Sequence, residues 1–305
     1  MRNAWIAVKE RVHRYLHTIG SRYGLVPPAG HVVQPLPEGF LPHQAVEAVV
    51  KRETTADPTY LFLPNVGSVG RRWRVGLWQV EMHHGDTEPV LERGIGKRRR
   101  LIQWQPLTRT DVPRGWWRSL IMPNFAITGY APVGNIETYW HGWSNHAKRH
   151  RKKWLASPNA TIQPVDVETF IAAYQHGTLD WLTKRMFIWM LRYRDRAHGS
   201  RMRYWLAVPS TGQALAGLAI LDIPETRTSL HVIAFYTKQA RGSSVNYGLI
   251  DHWFRDAIAS GWRYLDFDAF RGPTDPAQWA GFSRFKGQFG TRYITYLKPL
   301  IRIVR

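Results

Sequence analysis

A lysine set among aromatic residues is the pattern in this chain best suited to chemistry. It lies in Ser283–Gly290, Ser-Arg-Phe-Lys-Gly-Gln-Phe-Gly, where Lys286 follows Phe285. Phe282, Phe285 and Phe289 recur at i, i+3 and i+7, the spacing of one apolar helical stripe. A fixed cation in a water-poor site stabilises the negative charge that develops on a carbonyl oxygen during acyl transfer. The same spacing suits a packed terminal helix with Lys286 on its exposed flank.

Two carboxylates come next. Asp266 and Asp268 lie at the end of a run, Trp262–Phe267, that reads as a buried strand, with Asp268 just beyond it. Alternation puts both on one face, opposite Phe267. One of them could take a proton from an acceptor amine or orient it; equally, they could only pair with Arg263 or Arg271. Tyr236, at the end of an earlier strand, is a further candidate hydrogen-bonding group.

The loop Lys238–Ser244, Lys-Gln-Ala-Arg-Gly-Ser-Ser, connects that strand to a helix. Backbone N–H groups and the dipole at a helix N-terminus favour an anion. Gly242 allows close backbone approach, and Lys238 and Arg241 add charge, so a phosphate, pyrophosphate or carboxylate would fit. The Walker spacing is absent, which argues against ATP or GTP hydrolysis. No G-x-S-x-G elbow occurs. With no cysteine there is no disulfide, thiol nucleophile or Cys-ligated metal. His83-His84-Gly-Asp86 lacks metal spacing, and His141, His146 and His150 lie on a basic segment with no neutralising carboxylate nearby.

These groups must be positioned by a fold of ordinary composition, with 44% hydrophobic residues over 305 positions and 15 tryptophans. The first segment, with Trp5, Val8, Val12 and Leu16, predicts an amphipathic helix packed on the domain or lying on an anionic membrane. Residues 24–43 read as a Pro/Gly connector. Strands are predicted at Ala45–Val50, Tyr60–Pro64, Trp73–Val80, Leu101–Trp104 and Leu120–Ile127, with Lys97–Arg100 as a solvated turn. A helix capped by Asn135 is expected to run to Trp154. Ile136, Trp140, Trp143, Ala147 and Trp154 share one face, and Lys148, Arg149, Lys152 and Lys153 lie elsewhere, with Arg151 at the margin.

Helices at Val165–Gln175 and Leu179–Arg194 follow, the second with an apolar face that includes Trp181. Three antiparallel strands come next, at Arg203–Pro209, Ala214–Asp222 and Leu230–Tyr236. A helix at Val245–Ser260 ends at Gly261; after it come the strand Trp262–Phe267, a Gly-Pro loop, a short helix, and a strand near Tyr293–Lys298. This is an α/β fold with a mixed sheet.

The net charge is +20, from 42 Lys and Arg against 22 Asp and Glu. Such a field attracts RNA, DNA, an anionic membrane surface or phosphorylated small molecules, although some proteomes are simply basic. No apolar run reaches the length of a membrane span and no signal peptide is evident, so a cytoplasmic location is expected.

The element order resembles the GNAT (N-acetyltransferase-like) fold, and Gln239–Ser244 resembles its Q/R-x-x-G-x-G/A loop, with Ser244 where Gly or Ala is usual. Ala257–Gly261, then Tyr264-Leu-Asp-Phe267, a Gly-Pro loop and Gly281-Phe-x-x-Phe285-Lys286-x-x-Phe289-Gly290 are similar to the Fem-type (FemAB) peptidoglycan-bridge aminoacyltransferases. The segment with Trp140, Arg149, Arg151 and Lys152 resembles the basic helix at that family's domain junction. The resemblance spans about Asn135–Gly290. The chain departs from the family in its short length, in lacking the long helical arm of some members, and in a weakly patterned first half.

The resemblance implies two GNAT-like lobes: a degenerate one over residues 1–134 and an acyltransferase lobe over 135–305. It implies transfer of an amino acid from aminoacyl-tRNA to a stem-peptide amine of a peptidoglycan precursor, without metal or cofactor. Lys286, beside Phe285, would stabilise the oxyanion or the leaving group. Lys238, Gln239, Arg241, Gly242, Ser243 and Ser244 would hold donor phosphate, and Lys148, Arg149, Arg151, Lys152 and Lys153 would meet tRNA. An acyl-CoA- or carrier-dependent N-acyltransferase is a second reading. A non-catalytic RNA- or membrane-binding protein is a third. Peripheral contact with the inner face of the membrane is compatible with the charge.

Overall fold

Strands form where β-branched and aromatic residues cluster, and the helices follow apolar stripes bounded by caps. The computed structural model describes residues 45, 48–49, 52–53, 60–63, 68–75, 77–84, 87–89, 99–106, 111–118, 127–210, 212–271, 280–295 and 299–304. The expected N-terminal helix, the 24–43 connector, most of the Leu120–Ile127 strand, Lys97 and Arg98, and the Gly-Pro loop after Arg271 lie outside the described residues.

In chain order, β1 (Tyr60–Leu63), β2 (Ser68–Val75), β3 (Trp78–His84), β4 (Arg99–Gln105) and β5 (Trp117–Arg118) come first. Then follow β6 (Ile127–Pro132), α1 (Asn145–Ala156), β7 (Thr161–Val165), α2 (Val167–Tyr174) and α3 (Trp181–His198). Next come β8 (Met202–Val208), β9 (Ala216–Ile223), β10 (Thr228–Tyr236), α4 (Val245–Ala259) and β11 (Tyr264–Phe270). The chain continues through α5 (Ala280–Lys286), β12 (Arg292–Thr295) and β13 (Leu300–Val304). One sheet has six strands in the order β1-β2-β3-β4-β13-β5; the other has seven, β12-β6-β11-β10-β9-β8-β7. The fold is therefore mixed α/β, with parallel pairs β3/β4 and β10/β11 among antiparallel ones.

The chain divides into two compact units. The first comprises Met1–Gly129, Ala269–Lys286 and Tyr293–Arg305; the second comprises Tyr130–Asp268 and Gly287–Arg292. Residues 135–305 are thus not one contiguous lobe, because β13 pairs along β4 from Leu300↔Trp104 to Val304↔Arg100. In the first unit Ile102, Trp104, Trp116 and Leu300 form a buried apolar cluster. In the same unit Glu81 is buried and receives hydrogen bonds from His83, Arg100 and Gln79. Burial alone would raise its pKa, but these partners hold the carboxyl well below the usual range.

Several local expectations are corrected. Ala45, Ala48 and Val49 are helical, not a strand. Trp73–Val80 is not one strand, because a turn at Leu77 divides it into β2 and β3, which pair antiparallel. Asn135 caps a turn: its Oδ1 accepts from the Glu137 and Thr138 amides, and helix α1 starts only after Ser144, whose hydroxyl accepts from the Ala147 amide. Ile136 is accordingly exposed, while Trp143, Ala147 and Trp154 are buried. Trp181 is also exposed and does not belong to an apolar face.

The second unit is built around β9, Ala-Gly-Leu-Ala-Ile-Leu-Asp-Ile, buried along its whole length between β8 and β10. Helix α4 buries Leu249, Ile250, Trp253, Phe254 and Ala257 and is followed by Gly261 at φ +72°. Helices α1 and α4 approach closely at Gly248, where a Cβ would lie 2.3 to 2.7 Å from the Trp154 ring. Gly248→Ala gains about 0.8 kcal/mol of helix propensity, but overpacking of this kind costs about 1–3 kcal/mol. Urea unfolding is expected to show a net loss of stability; an unchanged or higher midpoint would mean that Trp154 yields freely.

Candidate donor-binding and transfer site

In the second unit the parallel strands β10 and β11 pair over only part of their length. β10 follows β9 from Thr228↔Ile223 to Tyr236↔Ala216, with an irregularity between His231 and Ile233. Against β11 it pairs only at Thr228↔Tyr264, Ser229↔Leu265 and Leu230↔Asp266. A bulge bends a strand and re-aims the residues beyond it, and the parallel ladder ends at this irregularity. Tyr236, at the far end of β10, is exposed.

The predicted anion loop continues directly from β10. The Thr237 amide bonds the Leu215 carbonyl, Lys238–Ala240 form a single 3-10 turn, and the Ser243 hydroxyl donates to the Ala240 carbonyl at 2.7 Å. Lys238, Gln239, Arg241 and Gly242 are exposed. Gly242 has φ +76°, and a Cβ there would meet nothing within 4 Å, so glycine is needed for conformation and not for local space. Ser244 takes the N-cap position of α4 but makes no side-chain cap bond. It is buried, and its hydroxyl is 3.0 Å from His150 Nδ1. At the positive end of α4 the Ser243 hydroxyl accepts from the Val245 amide at 3.4 Å, and Ser244 itself caps none.

Residue types and spacing assign His150 no role, yet it lies at this corner. Its ring stacks on Tyr247 at 4.5 Å, and His146 lies 4.5 Å away on the same helix. Burial pushes its pKa down, and His146, Arg149 and Lys153 push it down further, so the ring stays neutral beside Ser244 at neutral pH. The i, i+4 spacing of His146 and His150 on a helix was the available signal.

The basic helix α1 divides in two. Arg149, Lys152 and Lys153 are exposed and Lys148 is partly so. Arg151 is different, because its side chain is engaged within the protein. Its guanidinium bonds Asp251 and the Tyr139 hydroxyl and lies over the Tyr139 and Trp140 rings. Asp251, 2% exposed, also accepts from Tyr139 at 2.6 Å and from Arg255 at 2.8 Å. A buried carboxylate of this kind needs its cations, and Arg151 is committed to it.

Asp266 is half-buried, Phe267 fully buried and Asp268 exposed, in keeping with alternation. Asp266 accepts a hydrogen bond from the Asp268 amide at 2.7 Å. Asp268 has φ +59°, a left-handed conformation that Asp tolerates better than most residues.

Ser283–Gly290 is split between the two units. In the first, α5 ends at Lys286, and Ser283 accepts from the Arg271 amide at 2.7 Å. Lys286 is not on an exposed flank. It is 8% exposed, its Nζ donates to the Ala269 carbonyl at 3.3 Å, and the ammonium sits 5.2 Å from the Phe282 ring centre and 5.8 Å from that of Phe270. Phe285 is half-buried and Phe282 exposed. In the second unit Phe289, 1% exposed, packs on Trp143 at 4.9 Å, Phe267 at 5.8 Å and Tyr247 at 5.9 Å. Gly290, at φ +67°, lies against Gly142, whose carbonyl would be 3.3 Å from an added Cβ. Phe289 and Gly290 thus hold structure. Phe289→Ala is expected to cost about 3–5 kcal/mol in denaturant unfolding, and Phe282→Ala less than about 1 kcal/mol. Equal costs would contradict this division.

No family model matches the chain, and no curated protein matches it in sequence. Solved structures do resemble it. FemX superposes with a TM-score of 0.61 at 11% identity, covering 87% of this chain and 96% of FemX. The C-terminal domain named for lysylphosphatidylglycerol synthetase from Agrobacterium fabrum gives 0.53 at 11% identity, covering 84% and 92%. L-PGS from Bacillus licheniformis gives 0.50 at 9% identity, covering 88% and 94%. At such identities the likeness is one of fold: the chain has a Fem-like, GNAT-like fold.

Proposed function

We propose that the protein is an acyltransferase that moves an aminoacyl group from aminoacyl-tRNA to an amine on the stem peptide of a peptidoglycan precursor. The observation that carries this reading is the N-terminus of α4, where Ser244 makes no side-chain cap bond and which exposed Lys238 and Arg241 precede. It supplies an anion-binding helix end beyond the part of β10 that pairs with β11. The exposed Arg149, Lys152 and Lys153 add more positive charge than one pyrophosphate requires, which favours a polyanionic donor. The name of the lysylphosphatidylglycerol synthetases, which share the fold, points the same way, to an aminoacyl product.

In this reading the acceptor amine attacks the ester carbonyl carbon. The carbonyl electron pair moves to oxygen, and the oxyanion then collapses with release of the tRNA ribose oxygen. Asp266 or Asp268 accepts the amine proton, which passes to the leaving oxygen. Lys286, buried in the first unit against the Ala269 carbonyl and two rings, is a separate candidate to supply positive charge to an oxyanion or leaving group. Neither metal nor cofactor takes part in this scheme.

A second reading has an acyl-CoA or carrier thioester as donor. The glycine-containing loop favours it, since Gly242, at φ +76°, supports the tight turn that a pyrophosphate-holding backbone needs. Incubation with charged tRNA or acyl-CoA, each with candidate amines, separates the two. Transfer from charged tRNA is expected, and Lys286→Met is expected to lower kcat about 10²–10³-fold. Lys152→Glu with Lys153→Glu should raise the KM for tRNA and flatten its salt dependence. Product from CoA thioesters alone would exclude the tRNA donor, and no transfer from either would leave a binding protein.

A further inference from the structure

We propose that the exposed face of α3 is a docking surface for an anionic lipid bilayer. Trp181 is 71% and Trp189 57% exposed, on a helix whose Leu191, Tyr193 and His198 are buried. At 100° per residue, Trp181, Arg185, Trp189, Arg192 and Arg196 fall within an arc of about 80°. At 1.5 Å per residue they form a stripe about 22 Å long. One exposed apolar side chain is ordinary. Two indoles two turns apart, with arginines between and after them in the same stripe, are not a scatter of surface residues.

The stripe is shaped for a surface. It runs along the outside of a single helix, as a flat partner requires, whereas single-stranded nucleic acid is held in a basic groove with stacking platforms. The Trp189 ring already stacks on Tyr193 at 5.6 Å with planes 9° apart, so one of its faces is covered and its edge is left for solvent. Arg192 is held in a two-pronged pair with Glu168, at 2.7 and 2.6 Å, which leaves Arg185 and Arg196 to supply the charge of the stripe. Indoles settle at the headgroup level of a bilayer, and arginines beside them reach lipid phosphates. No described helix is long and apolar enough to cross a membrane, so contact through α3 would be peripheral. The chain's charge of +20 matches an anionic leaflet. This proposal is independent of the transfer chemistry.

The test is co-sedimentation of the full-length protein with vesicles of phosphatidylglycerol and phosphatidylcholine in equal parts, and with phosphatidylcholine alone. The wild-type protein is expected to pellet with the anionic vesicles and to be released by salt. Trp181→Ala with Trp189→Ala should lower the partition coefficient about tenfold. Arg185→Gln with Arg196→Gln should lower it about fivefold per arginine and weaken the salt dependence. Circular dichroism should be unchanged, since the four positions share the outer stripe of the helix. Wild-type partitioning by both double variants would overturn the proposal, as it would if the anionic lipid were held by the N-terminal segment instead. Loss of tRNA binding by the tryptophan variant with vesicle binding intact would also overturn it, making the stripe an RNA surface.

Discussion

One buried carboxylate organises the second unit. Asp251 is shut away from water on α4, and a lone charge there would be prohibitively costly. It is tolerable because Arg151 from α1, Arg255 one turn along α4, and the Tyr139 hydroxyl converge on its two oxygens. Burial and the neighbouring carboxylate raise the Tyr139 pKa, so that group remains a hydrogen-bond donor throughout the physiological range. The cluster ties α1 to α4. The rest depends on that tie: Trp154 lies on Gly248, His150 reaches Ser244, and the basic residues of α1 are brought beside the N-terminal end of α4.

Much of this half was legible in the sequence. β8, β9 and β10 were marked by β-branched and aromatic runs with turn residues between them, and α4 by its apolar stripe and closing glycine. β7 was missed because Thr161–Val165 carries Pro164 and few apolar residues, a composition tolerated at the sheet edge it occupies. β13 was missed because its partners, β4 and β5, are distant in sequence. Asn135 misled because an Asx turn and a helix cap use the same side-chain bond.

The site was legible by position more than by role. The loop after β10 and the charge on α1 were visible, but charge counting could not tell Arg151 from its neighbours. Its distinguishing feature is a partner 100 residues away. The Ser283–Gly290 motif blended two functions in one string. Its Phe-Gly end is packing, fixed by Trp143 and Gly142, whereas its lysine is a buried cation resting on a backbone carbonyl and aromatic faces. Periodicity treats the three phenylalanines alike, yet the helix ends before Phe289 and the apolar stripe ends with it.

The place of β13 between β4 and β5 has a consequence for synthesis. About two hundred residues separate β4 from β13, so on a ribosome adding about 5–20 residues per second β4 waits on the order of 10–40 s for its neighbour. β5 has β13 as its partner and waits too. In that interval Ile102, Trp104 and Trp116 lack Leu300, and an unpaired strand edge is open to other chains. In the seven-stranded sheet β6 waits as well, for β11 and β12, which are made more than a hundred residues later. The apolar cluster and the sheet of the first unit therefore close only once β13 has been made.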